Sequence, residues 1–488
     1  MKNEIIINET SDISILEYMN NIGCNVASYC SGLAKCGKCR VKITSPKDIP
    51  VLQSEYEFFT ESELNEGWRL ACLHTVSRGM LITDYLEALD EDMAVENDIV
   101  ISDCEPGFIP KNPVIALDLG TTTMAAALVD PDTKKVLRLA SCINHQKRFG
   151  ADIISRINAA SANDSYMLMR LARKDIMDLT QTLMAAMPNT RYVVSGNTTM
   201  QHILMGYPCK NLGIYPYTPV DISLHTQENF TMLPGIGVYV GADIVSGIIA
   251  CDMDISDELC LFIDIGTNGE MAIGNRYKIL TASTAAGPAF EGGNISCGNA
   301  AVPGAICSLK INGRTALYNT IDNKPPKGLC GSGVLETVYE LLNAGIIDST
   351  GLLRDEYFEN GFPITQSIYF NQNDIREVQL AKAAIKAGID ILLKEFHAEY
   401  SDIDRLYIAG GFGKHVNITK AGGIGLIPAE LTQKSIAVGN TSLKGAVRFA
   451  LDQDAFSERF INTAKNSEEI LLSDIKEFSE SYINSINF

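Results

Sequence analysis

The 488-residue sequence predicts an α/β protein in two parts, a small α+β unit ahead of a larger two-lobed α/β body. Three observations predict it. The composition breaks near residues 89–112. Beyond the break, one strand–turn–strand design occurs twice, about 145 residues apart. Further on, a third strand runs out into glycines.

Each element has its own signal. "NEIIIN" (3–8) reads as a strand, and "ISILEYMNNIG" (13–23) has helical spacing that ends at Gly23. "CRVKITS" (39–45) alternates as a strand does, and "GWRLACLHTV" and "MLITDYL" add two more, closing a unit at residues 1–88. From Asp90 to Glu105 there are seven acidic residues and no basic one, and Pro106, Pro110 and Pro113 follow. Like charges repel and prolines stiffen, so 89–112 reads as a semi-extended linker. "VIALDLGTTTMAAALVD" (114–130) opens a first lobe, 113–258, with a strand, a tight turn and a strand. "LCLFIDIGTNGEMAIGN" (259–275) opens a second lobe, 259–488, in the same way. In that lobe "LAKAAIKAGIDILLKEF" (380–396) reads as an amphipathic helix packed on it, and "RLYIAGGFGKHV" (405–416) as the third strand. "GIGVYVG" (235–241) is a poor dinucleotide fingerprint whose surroundings read as a strand.

Composition narrows the function. A net charge of -19 argues against nucleic acid, whose phosphates demand a basic surface. The N-terminus lacks an apolar core of signal-peptide length, and no apolar run reaches the roughly 18 residues of a spanning helix. No membrane partner and a cytoplasmic location are therefore expected.

Of thirteen cysteines, four crowd into residues 30–72 as C-x5-C-x2-C-x32-C: Cys30, Cys36, Cys39 and Cys72. Thiolates are the soft ligands an iron–sulfur cluster requires, and Gly32 and Gly37 free the backbone to wrap around one. Gly32, Gly37 and Lys38 nearly complete a phosphate loop, but Cys39 stands where that loop needs a hydroxyl. Structural zinc usually takes two C-x2-C pairs, and the second is absent. The stretch and the later "RLACL" resemble [2Fe-2S] ferredoxins with a five-residue first gap. Cys24, Cys297, Cys307 and Cys330 read as core thiols, and His145 as a surface or capping residue.

The two hairpins share an order of apolar strand, Asp, apolar residue, Gly and Thr. A Gly–Thr turn offers backbone N–H and hydroxyl donors to phosphate oxygens. An aspartate at the strand end can hold hydrated magnesium or orient a water. Asp243 in "VGAD" is a polar residue in an apolar run, and Pro288, Phe290 and Glu291 in "GPAFEGG" read equally as cleft or buried turn.

The order of these segments resembles the acetate and sugar kinase, heat-shock chaperone and actin superfamily. The implied fold is a two-lobed actin-like ATPase behind a ferredoxin-like domain. The resemblance implies Asp118 and Asp264 as catalytic residues. Gly120, Thr121, Thr122 and Thr123, with Gly266, Thr267, Asn268 and Gly269, would bind phosphate. Gly410, Gly411 and Gly413 would lie against adenosine.

The fusion is similar to the reductive activators of corrinoid proteins, through "FGADIISRI", "SGNTTMQHIL", "YVGADIVSG", "AAGPAFEGGNISCG", "GLCGSGV" and "DIREVQLAKAAIKAGI". That resemblance implies ATP-dependent reduction of a Co(II) corrinoid protein to Co(I), with [2Fe-2S], ATP and Mg2+ as cofactors. It also implies a low-potential electron donor and is compatible with a homodimer. The sequence departs from the family at Asn299–Ala300, where a Met–Arg pair is expected. Two other readings stay open: an ATPase activator of 2-hydroxyacyl-CoA dehydratases or benzoyl-CoA reductases, and a non-catalytic redox-sensing nucleotide-binding protein.

Overall fold

The computed structural model describes residues 4–22, 24, 26, 34, 37–45, 49–85, 99–102, 108, 110–150, 152–184, 190–411 and 416–488. Much of the expected linker, Cys30, Cys36 and Gly413 lie outside the described residues. The chain divides into two compact units, Met1–Glu91 with Gln146–Ala151, and Asp92–His145 with Asp152–Phe488.

In the first unit four strands lie in the order Ile5–Ile6, Leu81–Tyr85, Arg40–Thr44, Trp68–Leu70, with the helix Ile15–Asn21 packed against them. Ser14 caps that helix by accepting from the Glu17 amide, and Ile15, Leu16 and Met19 turn inward at helical spacing. They join Val41, Ile43, Leu70 and Ile82 in one core. The strand expected over "GWRLACLHTV" is only Trp68–Leu70. The chain turns there, because the Leu73 amide donates back to the Leu70 carbonyl at 3.0 Å.

The second unit is built on two six-stranded sheets of the same plan. The first runs Lys135–Ile143, Thr123–Asp130, Val114–Leu119, Arg191–Gly196, Phe230–Met232, His225–Gln227. The second runs Ser435–Gly439, Arg405–Ala409, Cys260–Ile265, Gly269–Asn275, Lys278–Thr284, Ser467–Ile470. In each, a central strand pairs antiparallel with the next strand on one side and parallel with a later strand on the other. The central strands are apolar on both faces because helices cover both.

Two helices join the sheets. Thr441–Leu451 buries Leu443, Ala446, Val447 and Ala450, an i, i+3, i+4, i+7 stripe, against the first sheet. Ala242–Ala250 presents Ala242, Val245 and Ile249 to the first sheet's core, and Ile244 and Ile248 to a core with Phe262 and Ala272 of the second. Residues 235–241 form no strand. The amides of Ile236 and Gly237 both donate to the Val240 carbonyl, a tight loop that feeds this helix. The helix expected over 380–396 is the C-terminal part of Gln372–Phe396, which packs on the second sheet.

Candidate functional site

The first unit brings two of its cluster-spaced cysteines together. Cys39 precedes the strand Arg40–Thr44 and Cys72 follows the strand Trp68–Leu70. Those strands pair antiparallel with Arg40 opposite Leu70, and the Ala71 amide donates to the Cys39 carbonyl at 2.7 Å. The two Sγ atoms lie 3.3 Å apart, far beyond the about 2.05 Å of a disulfide. Cys39 is buried and Cys72 partly so. Arg40 ties the segment ahead of Cys39 to the loop that leads to Cys72, donating from Nε to Gly37 O and from Nη2 to Phe58 O.

Glu55 and His74, which sequence reasoning passed over, fix the turn that carries Cys72. Glu55 is fully buried. Its Oε1 accepts from the Leu70 amide at 2.8 Å and meets His74 Nε2 at 3.0 Å. Burial pushes its carboxyl up, but the His74 bond and the Leu52 and Leu70 amides bring it below the ordinary carboxylate value.

In the second unit both expected aspartates stand at the carboxyl ends of central strands, beside a parallel neighbour: Asp118 opposite Ser195, Asp264 opposite Ala409. In open α/β sheets that is where ligands bind. Asp118 is held by residues no local pattern marked. Asn440 Nδ2 donates to its Oδ2 and Ser442 Oγ to its Oδ1, each at 2.7 Å. Ser442 Oγ also lies 2.9 Å from Ser195 Oγ, which reaches Ser246 Oγ at 2.8 Å.

The two hairpin turns meet. Thr122 Oγ1 and Thr267 Oγ1 are 3.3 Å apart, and both bond Oε2 of Glu291, at 3.4 and 2.6 Å. At Gly120 an added Cβ would lie 2.2 Å from the Thr123 carbonyl, so only glycine allows this turn. Asn144 steadies it from below, with its Nδ2 on Gly120 O and its amide on Thr122 O. Arg156, fully buried, donates from Nη2 to the Thr121 carbonyl at 2.5 Å and points Nη1 at Met200 Sδ. In the second hairpin Asn268 Nδ2 donates to Glu270 Oε1 at 3.2 Å, and Gly269 begins the return strand. Gly410 adopts φ +92°, and a Cβ there would lie 2.7 Å from Asp264 Oδ1. Gly411 has open space around it.

Five carboxylates share this cleft. Burial pushes Asp264 up to about 8, helped by the charges of Asp243, Asp118 and Glu291. Asp243, at the start of the helix Ala242–Ala250, is pushed to about 7 by burial and by Asp118. Burial raises Glu270 well up too, with Asp243 and Asp264 adding to it. Asp118 and Glu291 are raised by burial, while Ser442 and Asn440 restrain the first and Thr267 and Thr122 the second. Crowded acids of this kind call for a cation. Among the described residues no three His, Cys, Asp or Glu side chains are arranged to hold a metal ion directly.

Residues 2–77 match the 2Fe-2S iron-sulfur cluster binding domain, 114–256 the RACo middle region, and 258–488 the C-terminal domain of RACo, the ASKHA domain. Over 448 residues the chain is 29% identical to the corrinoid activation enzyme RamQ of Eubacterium limosum, with 82% of this chain and 71% of that protein covered. Over 423 residues it is 24% identical to the [Co(II) methylated amine-specific corrinoid protein] reductase of Methanosarcina barkeri, with 77% and 76% covered. The solved structure of a reductive activator for corrinoid, iron-sulfur protein aligns with a TM-score of 0.71 and 26% identity, over 100% of this chain and 98% of that one. The two-lobed actin-like fold behind a ferredoxin-like domain is thus established, and among the described residues no helix is long and apolar enough to cross a membrane.

Proposed function

Since the chain belongs to the RACo family of corrinoid activators, we propose that it reduces the inactive Co(II) form of a corrinoid protein to Co(I) at the expense of ATP. The observation that carries this reading is the pairing, in one polypeptide, of the Cys39–Cys72 thiol pair with a cleft where two Gly–Thr hairpins meet. A [2Fe-2S] cluster on Cys30, Cys36, Cys39 and Cys72 supplies single electrons when bound.

The chain's own residues do the rest. The hairpin amides and the hydroxyls of Thr122 and Thr267 receive phosphate oxygens. Asn440 and Ser442 keep the Asp118 carboxylate aimed into the cleft. Asp118 and Asp264 would hold a hydrated magnesium ion, which would offset phosphate charge, and they are placed to orient a water. Gly410, beside Asp264, lets the backbone pass close to the nucleotide. Binding across the hairpins couples the two sheets through the helices Ala242–Ala250 and Thr441–Leu451.

Energy is needed because Co(II) accepts an electron reluctantly. A conformational bias of about 5.5 kcal/mol toward one cobalt form shifts a one-electron potential by roughly 240 mV. The ATPase supplies that bias. A low-potential donor, a cytoplasmic setting and a homodimeric assembly complete the proposal.

The test is anaerobic reduction of a partner corrinoid protein with a low-potential reductant, followed through the cobalamin spectrum. Co(I) should form with ATP and not without it. Equal reduction without ATP overturns the coupling.

A further inference from the structure

Oε2 of Glu291 accepts hydrogen bonds from Thr267 Oγ1 at 2.6 Å and from Thr122 Oγ1 at 3.4 Å. These hydroxyls come from different hairpins on different sheets, and a single carboxylate oxygen joins them. Under the reading above, the same hydroxyls are what the hairpins offer to a phosphate oxygen. A carboxylate and a phosphate are both anionic acceptors and cannot take the same donors together. We propose that Glu291 is a built-in competitor for the phosphate subsite, which the phosphate chain of the nucleotide must displace in order to bind.

The surroundings suit such a displacement. Glu291 ends the short 3-10 turn Pro288–Glu291. The turn is bounded by Gly287 at φ +79° and Gly292 at φ +78°, left-handed backbone that glycine adopts without strain. The Gly287 amide donates to the Thr267 carbonyl at 2.9 Å, so one end of the turn stays tied to the second hairpin while the side chain leaves. On the far side Gly292 packs against Asn299, where an added Cβ would lie 2.3 Å from the Asn299 carbonyl. Displacement of Glu291 therefore bears on the Asn299–Ala300 segment.

The inference rests on the nucleotide reading of the cleft, and binding of ATP, ADP and AMP to the full chain tests the two separately. Removing an internal anion that holds these donors should tighten binding. Glu291→Ala and the isosteric Glu291→Gln should each bind ATP and ADP about tenfold more tightly than wild type, the scale of one charge-assisted hydrogen bond. AMP, which lacks the terminal phosphates, should gain nothing. A merely structural role predicts the opposite sign, weaker binding in both variants. Unchanged ATP affinity with lost turnover would make Glu291 a water-activating base and overturn the proposal, as would a gain that AMP shares. If Glu291→Ala does not fold, Glu291→Gln decides. A wild-type chain that binds no nucleotide overturns the reading of the cleft. Binding by wild type with no gain in either variant overturns this inference alone.

Discussion

Asn440 Nδ2 donates to Asp118 Oδ2 at 2.7 Å across 322 positions of sequence. Asn440 is also the N-cap of the helix Thr441–Leu451, its Oδ1 accepting from the Leu443 amide at 2.8 Å. One side chain thus starts the helix that packs on the first sheet and orients Asp118, the first of the two aspartates proposed as catalytic. Replacing Asn440 with Ala should cost both. The lost bond to a charged acceptor, about 1.5–3 kcal/mol, should lower the kcat for ATP roughly 10- to 100-fold. Ser442→Ala should lower kcat without the capping loss, so its melting temperature should fall less than that of Asn440→Ala.

The carboxylate cluster makes stability depend on pH. Asp264 is raised to about 8 and Asp243 to about 7 against an ordinary 3.8, burial being the largest cause in both. Between pH 4 and these values the folded chain binds more protons than the unfolded chain. Their contribution is therefore fully present below about pH 4 and is lost as pH rises through 7 and 8. The melting temperature of the nucleotide-free protein should decline from pH 6 to pH 9. Asp264→Asn, which removes a charge the fold disfavours, should flatten that decline and raise the melting temperature at pH 8, while abolishing ATP turnover. A melting curve with the wild-type pH slope in Asp264→Asn would remove Asp264 from the cluster.

Arg156 is a buried cation that supports the first hairpin from within. Burial lowers its guanidinium to about 9, with the Asp152 charge opposing the drop, and its Nη2 holds the Thr121 carbonyl. Lysine has one compact donor head and cannot reach Thr121 and Met200 in the same fork. Arg156→Lys should therefore resemble Arg156→Ala, raising the KM for ATP about tenfold through a loosened turn. Full activity in Arg156→Lys would show that charge alone suffices.

What could be read from the sequence depended on how local the signal was. Asp118 and Asp264 sit in strand–Gly–Thr segments whose periodicity and turn residues are contained in some seventeen positions, so their strand-end placement was legible. Asn440 and Ser442 were not, because their bonds to Asp118 depend on the packing of a helix far away in the chain. Glu55 was hidden for the same reason, since its partners His74 and Leu70 come from later segments. The strand expected over residues 67–76 was cut short because apolar alternation continues through a turn that places Cys72 beside Cys39. In the sequence Glu291 reads equally as cleft or buried turn, and it is both: a 3-10 turn whose last side chain enters the cleft.

The cysteine pair separates the two chemistries of the chain. Cys39 and Cys72 lie in the unit Met1–Glu91, which has its own core around Ile15, Val41, Leu70 and Ile82. The described residues of the proposed nucleotide cleft belong to the other unit, with its own sheets and cores. Cys72→Ser replaces a soft sulfur ligand with a hard oxygen and should remove the visible iron–sulfur absorption of the purified protein. Corrinoid reduction should fall to background, while ATP affinity stays within about twofold of wild type, as expected of sites built in separate units with their own cores. Spectroscopy on the anaerobically purified variant, with nucleotide titration of the same sample, checks both halves. Retained absorption would exclude Cys72 as a ligand, and lost ATP binding would show that the cleft requires an intact cluster.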